Sequence, residues 1–166
     1  MRRKRGSYAG VPASSFFRRP RKITDPAPMT AQAVRLDNFF DTLKRPGSPN
    51  NWLVAPVGFA ITPDAVAPVF NVPMCDLIDT FKGVALRSKD VAVVEESAHA
   101  VHVIATTPLL RFKDDVWVRF IPMGESASTV ALYSASRVGY WDLGTNRRRL
   151  KDWIGRVQNA LAPYGQ

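Results

Sequence analysis

Cysteine is all but missing. Cys75 stands alone in 166 residues. That excludes an intramolecular disulfide framework and any multi-cysteine metal site, and it accords with a reducing compartment. Histidine is scarce as well. His99 and His102 lie three apart on an expected strand, so they face opposite ways and cannot share one metal. A Cys75–His dyad has no support in the spacing. There is no G-x-x-x-x-G-K-[ST], no G-x-G-x-x-G and no H-E-x-x-H, and we expect no cofactor and no metal. No apolar run approaches the ~20 residues needed to span a bilayer. No apolar stretch follows the basic start as a secretory signal requires, and Arg18-Arg19 lacks the hydrophobic segment of a twin-arginine signal.

Acidic residues are absent from the first 22 positions. Eight basic residues stand there: Arg2, Arg3, Lys4, Arg5, Arg18, Arg19, Arg21 and Lys22. The remaining 15 basic residues face 14 acidic ones over 23–166, so the body is nearly neutral and the formal charge of +9 belongs to the tail. Glycines and prolines punctuate residues 1–29, which we expect to be a basic, extended or disordered arm. Phe16-Phe17, flanked by arginines, reads either as a docking anchor or as a chance apolar pair. The arm also matches a mitochondrial presequence in being Arg-rich and acid-poor. Targeting and docking both stay open. The expected location is the cytoplasm or an organellar matrix, peripheral to a larger assembly.

Residues 30–166 read as one α+β domain; 46% of the whole chain is hydrophobic. Thr30 is placed to cap a helix over about 31–44, with Ala33, Leu36, Phe40 and Leu43 at helical spacing. Pro46-Gly47-Ser48-Pro49-Asn50 breaks the chain before a short strand, Trp52-Leu53-Val54-Ala55. A Pro-rich connection fills 56–72. A second helix over about 72–87 carries Met74, Leu77, Ile78, Phe81 and Ala85 as its stripe, with Cys75 packed inert beside it. Alternation predicts strands at about 91–96, 99–107, 115–122 and 129–137, joined by tight turns and hence antiparallel. The last helix, about 146–162, sets Leu150, Trp153, Ile154, Val157 and Leu161 on one face. The expected architecture is an antiparallel four- to five-stranded meander with helices packed on one face. A helix-grip arrangement is one compatible version.

Two clusters carry chemistry. Asp114 and Asp115 open the third meander strand, and alternation sends one inwards and the other out. A solvated turn is the bland alternative. The second cluster follows the last strand. Ser134 and Ser136 share a face, and Gly139 and Gly144 bracket a loop suited to positive φ. Thr145 or Asn146 is placed to cap the last helix. Arg147, Arg148 and Arg149 then fill its first turn, where positive charge opposes the dipole. Either Asp142, Asp114 and Asp115 neutralise Arg137, Arg147 and Arg149 internally, or the corner holds an anion. Tyr140 and Trp141 are rim, core or groove residues.

Three blocks resemble one family. Arg45-Pro46-Gly47-Ser48-Pro49-Asn50-Asn51 resembles a Cys-Pro-x-Ser-Pro-Asn-Cys motif in which both cysteine positions are replaced here. Phe112 to Phe120 resembles a Phe-x-Asp-Asp segment. Ser134, Ser136, Arg137, Gly139, Asp142, Gly144, Asn146, Arg147 and Arg149 match a third motif. The family is domain of unknown function 1499, and the resemblance covers about residues 45–158. It implies an uncharacterised protein with no transferable catalytic residue. Many relatives are membrane-anchored or exported, but this chain shows no such segment, so no location carries over.

The expected function is a non-enzymatic binding or accessory module. Its arm would anchor it to a protein complex or another anionic surface. Two alternatives stay open: an enzyme or small-ligand binder for an anionic substrate at the Asp/Arg corner, and non-specific nucleic-acid binding through the arm.

Overall fold

The computed structural model describes residues 35–162. The arm, the Thr30 cap and Pro163 lie outside the described residues. A helical turn at 35–37 leads into a short helix, α1 (Phe39–Thr42). Then come β1 (Asn51–Ala55), β2 (Ala65–Val66), α2 (Met74–Val84), β3 (Val91–Glu96), β4 (Ala100–Thr106), β5 (Lys113–Pro122), β6 (Ser128–Ser136) and α3 (Thr145–Leu161).

The α+β class holds, but the sheet is larger than expected and mixed. Six strands run in the order β2-β1-β6-β5-β4-β3. The meander β3 to β6 is antiparallel, and β1 adds antiparallel to β6. β2 then lies parallel to β1. It is two residues long and sits in the Pro-rich connection. Backbone bonds hold it, from Asp64 N to Leu53 O and from Ala67 N to Ala55 O. Two residues show no alternation, so periodicity could not reveal it.

Period-2 alternation builds two cores. On one face, Val101, Val103, Val116, Val118, Phe120, Val130 and Leu132 meet Leu77 and Phe81 of α2 and Leu150, Trp153 and Val157 of α3. Each fully buried Leu or Val here is worth about 1.5–3 kcal/mol relative to exposure. Phe81 sits edge-on to both Phe120 and Trp153. The helix stripes are as expected, except that Cys75 is exposed rather than packed. One residue is a 100° step on a helix, and Cys75 falls just off the arc of Met74, Leu77 and Ile78.

The opposite face is covered too, which corrects the one-sided picture. Phe40 packs with Leu53, Ala55, Ala131 and Tyr133, and Phe59 and Ile61 close over them. Phe39 stacks on Trp117 with centroids 4.2 Å apart, and His102 also stacks on Trp117 at 4.6 Å. Arg119 fastens α1 to this face by pairing with Asp41 at 3.0 Å. At the free edge, β3 carries a bulge between Val93 and Glu95, a common way to blunt an edge strand.

Candidate functional site

The three motif blocks converge at one end of the sheet. Asn146, in the first turn of α3, is fully buried. Its amide nitrogen donates to the Asn50 carbonyl at 2.8 Å and to Ser136 Oγ at 3.1 Å. Its oxygen accepts from Ser134 Oγ at 2.5 Å and from Arg149 Nη1 at 3.0 Å. Arg149 also donates to Asp114 Oδ2 at 2.6 Å. Asp114 is 1% exposed, and that guanidinium is the cation set against it. The network ties the starts of β1 and β5, the end of β6 and the head of α3 into one rivet.

Asp115 takes the other face, as alternation predicts. It accepts from Arg137 Nε at 2.6 Å and Nη2 at 2.7 Å, while His102 Nε2 lies 2.8 Å from its Oδ1. Burial pushes the Asp115 carboxyl up, but the hydrogen bonds and charges of Arg137 and His102 outweigh it and hold the group below its ordinary value. A carboxyl depressed by folding adds stability that is complete above its unfolded value. That stability is lost as pH falls through the lower folded value. Asp115→Asn is therefore expected to cost about 1–3 kcal/mol at neutral pH. The gap between native protein and variant, read by urea unfolding, should narrow progressively below about pH 4. A gap constant down to acid unfolding would exclude the ion cluster as its source.

The expected first-turn conflict in α3 is resolved piecemeal. Asp142 pairs with no arginine among the described residues, contrary to that candidate role. Its carboxylate accepts from the backbone N–H of Gly144 at 2.9 Å and of Asn146 at 2.7 Å. It thereby does the capping expected of Thr145 or Asn146, and it places negative charge at the positive helix end. Arg147 does not join the Asp–Arg network either. It lies over the Trp52 ring, 5.2 Å from the centroid. Arg148 donates to the Leu143 carbonyl at 2.9 Å.

Gly139 and Gly144 have φ of 88° and 74°, as their placement suggested. Among the described residues, two non-glycines share that region: Arg111, with φ 56°, and Leu143, with φ 55°. Both lie on the paired loops that crown this end, 107–112 between β4 and β5 and 137–144 between β6 and α3. Seven of the 13 large apolar side chains exposed among the described residues stand on these loops. They include Leu109 at 89%, Tyr140 at 73% and Trp141 at 68%. Between the loops runs a groove of about 450 Å³ lined by Pro108, Leu109, Leu110, Phe112, Trp141 and Leu143, with Arg148 at its side. A groove of similar size, about 480 Å³, opens on the opposite sheet face beside Val57 and Phe59. On its wall, Asp37 is tied to Ser97 and Arg119 to Asp41, while the His99 side chain is exposed.

The first block ends in a clip. Arg45 Nε donates to Asn51 Oδ1 at 3.0 Å, so its two ends are joined without a thiol. Arg45 also pairs with Asp64 at 2.5 Å. A family model described as "Protein of unknown function (DUF1499)" matches residues 24–157. The chain belongs to the DUF1499 family. The match includes all three blocks of the rivet and reaches back beyond them to residue 24. No curated protein matches this DUF1499 chain. Among solved structures, the crystal structure of TTHA0849 from Thermus thermophilus aligns with 66% of this chain and 98% of its own, at 11% identity and a TM-score of 0.32. No helix among the described residues is long and apolar enough to cross a membrane.

Of the two aromatics that the sequence offers as rim, core or groove residues, Trp141 lines the groove and Tyr140 does not. Leu109 and Leu110 look like ordinary hairpin residues until the fold leaves them in solvent.

Proposed function

We propose that this DUF1499 chain is a non-enzymatic binding or accessory module. Residues 30–166 form its single domain, and the basic arm at 1–29 anchors it to a larger anionic assembly. The supporting observation is how the polar corner is used. Asp114 is spent on Arg149, Asp115 on Arg137 and His102, and Asp142 on backbone N–H groups. A general acid or base must reach a substrate proton, and these carboxylates are engaged in holding the fold. The surface left over is apolar and lies on loops, which suits recognition.

The test compares the native chain with a variant whose eight basic arm residues, Arg2, Arg3, Lys4, Arg5, Arg18, Arg19, Arg21 and Lys22, are all replaced by Gln. Both are purified from the native host, and what accompanies each is identified. A macromolecule that accompanies the native chain and is lost with the variant is the expected result. Equal recovery would overturn the anchoring role. Turnover of an anionic small molecule that Asp115→Asn abolishes would overturn the non-enzymatic assignment.

A further inference from the structure

The crown combines two properties. Leu109, Leu110, Trp141 and Leu143 project from loop tips with exposures of 61–89%. Cations sit among and below them. Arg111 is at the hairpin tip with its side chain 70% exposed, in a loose pair with Asp90 at 3.6 Å. Lys113 and Arg148 are exposed and have no salt-bridge partner among the described residues. The one carboxylate lining the groove, Asp142, is turned onto backbone N–H groups. Apolar tips above a collar of exposed cations complement one surface in particular, an apolar layer beneath a sheet of phosphates. Trp and Tyr favour that boundary because each has an apolar body and a polar tip.

We propose that this corner docks onto an anionic phospholipid bilayer. Leu109, Leu110, Trp141 and Leu143 enter the acyl boundary, while Arg111, Lys113 and Arg148 meet lipid phosphates. The proposal rests on the binding-module assignment above and names the anionic assembly. It also gives the eight arm cations a purpose. A small apolar wedge binds lipid only marginally, and stable attachment takes a second, polybasic signal.

Trp141 makes the test specific. It is the one exposed tryptophan of four; Trp153 is buried, and Trp52 and Trp117 are partly buried. The full chain is mixed with vesicles of phosphatidylcholine alone, or of phosphatidylcholine with about one-third phosphatidylglycerol. Some vesicles carry bromine on the acyl chains as a fluorescence quencher. The expected result is co-sedimentation with the anionic vesicles, with quenching that disappears in Trp141→Phe. In Leu109→Ser/Leu110→Ser, affinity should fall roughly tenfold or more. Both variants change only exposed side chains, and circular dichroism checks their fold.

Vesicle binding without quenching, insensitive to the leucine pair but abolished by the eight-Gln arm variant, would overturn corner docking and leave the anchor assignment intact. Failure to bind either vesicle would overturn the lipid proposal. If a protein partner were then lost from the leucine variant, the corner would be a protein interface. Failure of the anchor assignment itself reads out separately, as equal recovery of partners by the native and arm-substituted chains.

Discussion

Replacing Arg149 with Met should destabilise the domain by about 3–5 kcal/mol, one of the largest effects expected of a single change here. The methionine fills much of the same volume but leaves the Asp114 carboxylate 1% exposed and without its cation. It also withdraws a donor from Ser134 Oγ, at 3.1 Å, and from Asn146 Oδ1, at 3.0 Å. For a body of this size the melting temperature should fall by roughly 10–15 °C. Asp114→Asn in the same background should recover part of the loss, because it removes the stranded charge. A cost below about 1 kcal/mol would mean that Asp114 finds water or a proton instead of its partner. Thermal and urea unfolding of the two variants decide between these outcomes.

Asn146→Ala is the second large effect, about 2–4 kcal/mol. The side chain makes four hydrogen bonds from a fully buried position. Its removal takes one of two partners from the Asn50 carbonyl, which keeps Ser136 N–H at 3.0 Å, and one each from the Ser134 and Ser136 hydroxyls, in a fully buried place. The cost should not add to that of Arg149→Met, since the two side chains share a bond and both serve Ser134. Unfolding of the double variant measures the coupling. Strict additivity would mean that the rivet is two separate contacts. In both single variants the loop at 137–144 loses its footing, because Asn50 Nδ2 holds the Gly139 carbonyl at 2.6 Å from the same cluster.

The parts of this fold with regular spacing were readable from residues alone. Strands β3 to β6 announce themselves by alternation, and α3 does so by the run Leu150, Trp153, Val157 and Leu161. Asp114 and Asp115 were separable onto opposite faces by the same rule. Three things were not readable. β2 is two residues long, and backbone atoms, which every sequence carries, hold it in place. The second core depends on Phe40, Phe59 and Ile61 crossing to the far face, which only the tertiary path decides. The roles of Asp142 and Arg147 were misassigned because composition shows that charges need partners without saying which. Asp142 found peptide N–H groups and Arg147 found an indole ring. Trp141 marked one wall of the groove, but its other wall was not readable for a related reason: exposure belongs to the folded chain, and Leu109 carries no mark of it in the primary structure.

The hydrogen bond between Asn146 and the Asn50 carbonyl spans 96 residues. Closing it requires β1, β5, β6 and the first turn of α3 all to be in place, and α3 follows every one of those strands in the chain. Contacts of such long sequence separation form late on a folding path, since loop-closure entropy must be overcome first. A chain still on the ribosome therefore has the meander but lacks the rivet, and with it the ordered crown. Recognition by this corner becomes available only once α3 has emerged and docked. Stop-codon truncations before Arg149 are thus expected to abolish it, even where the strands still fold.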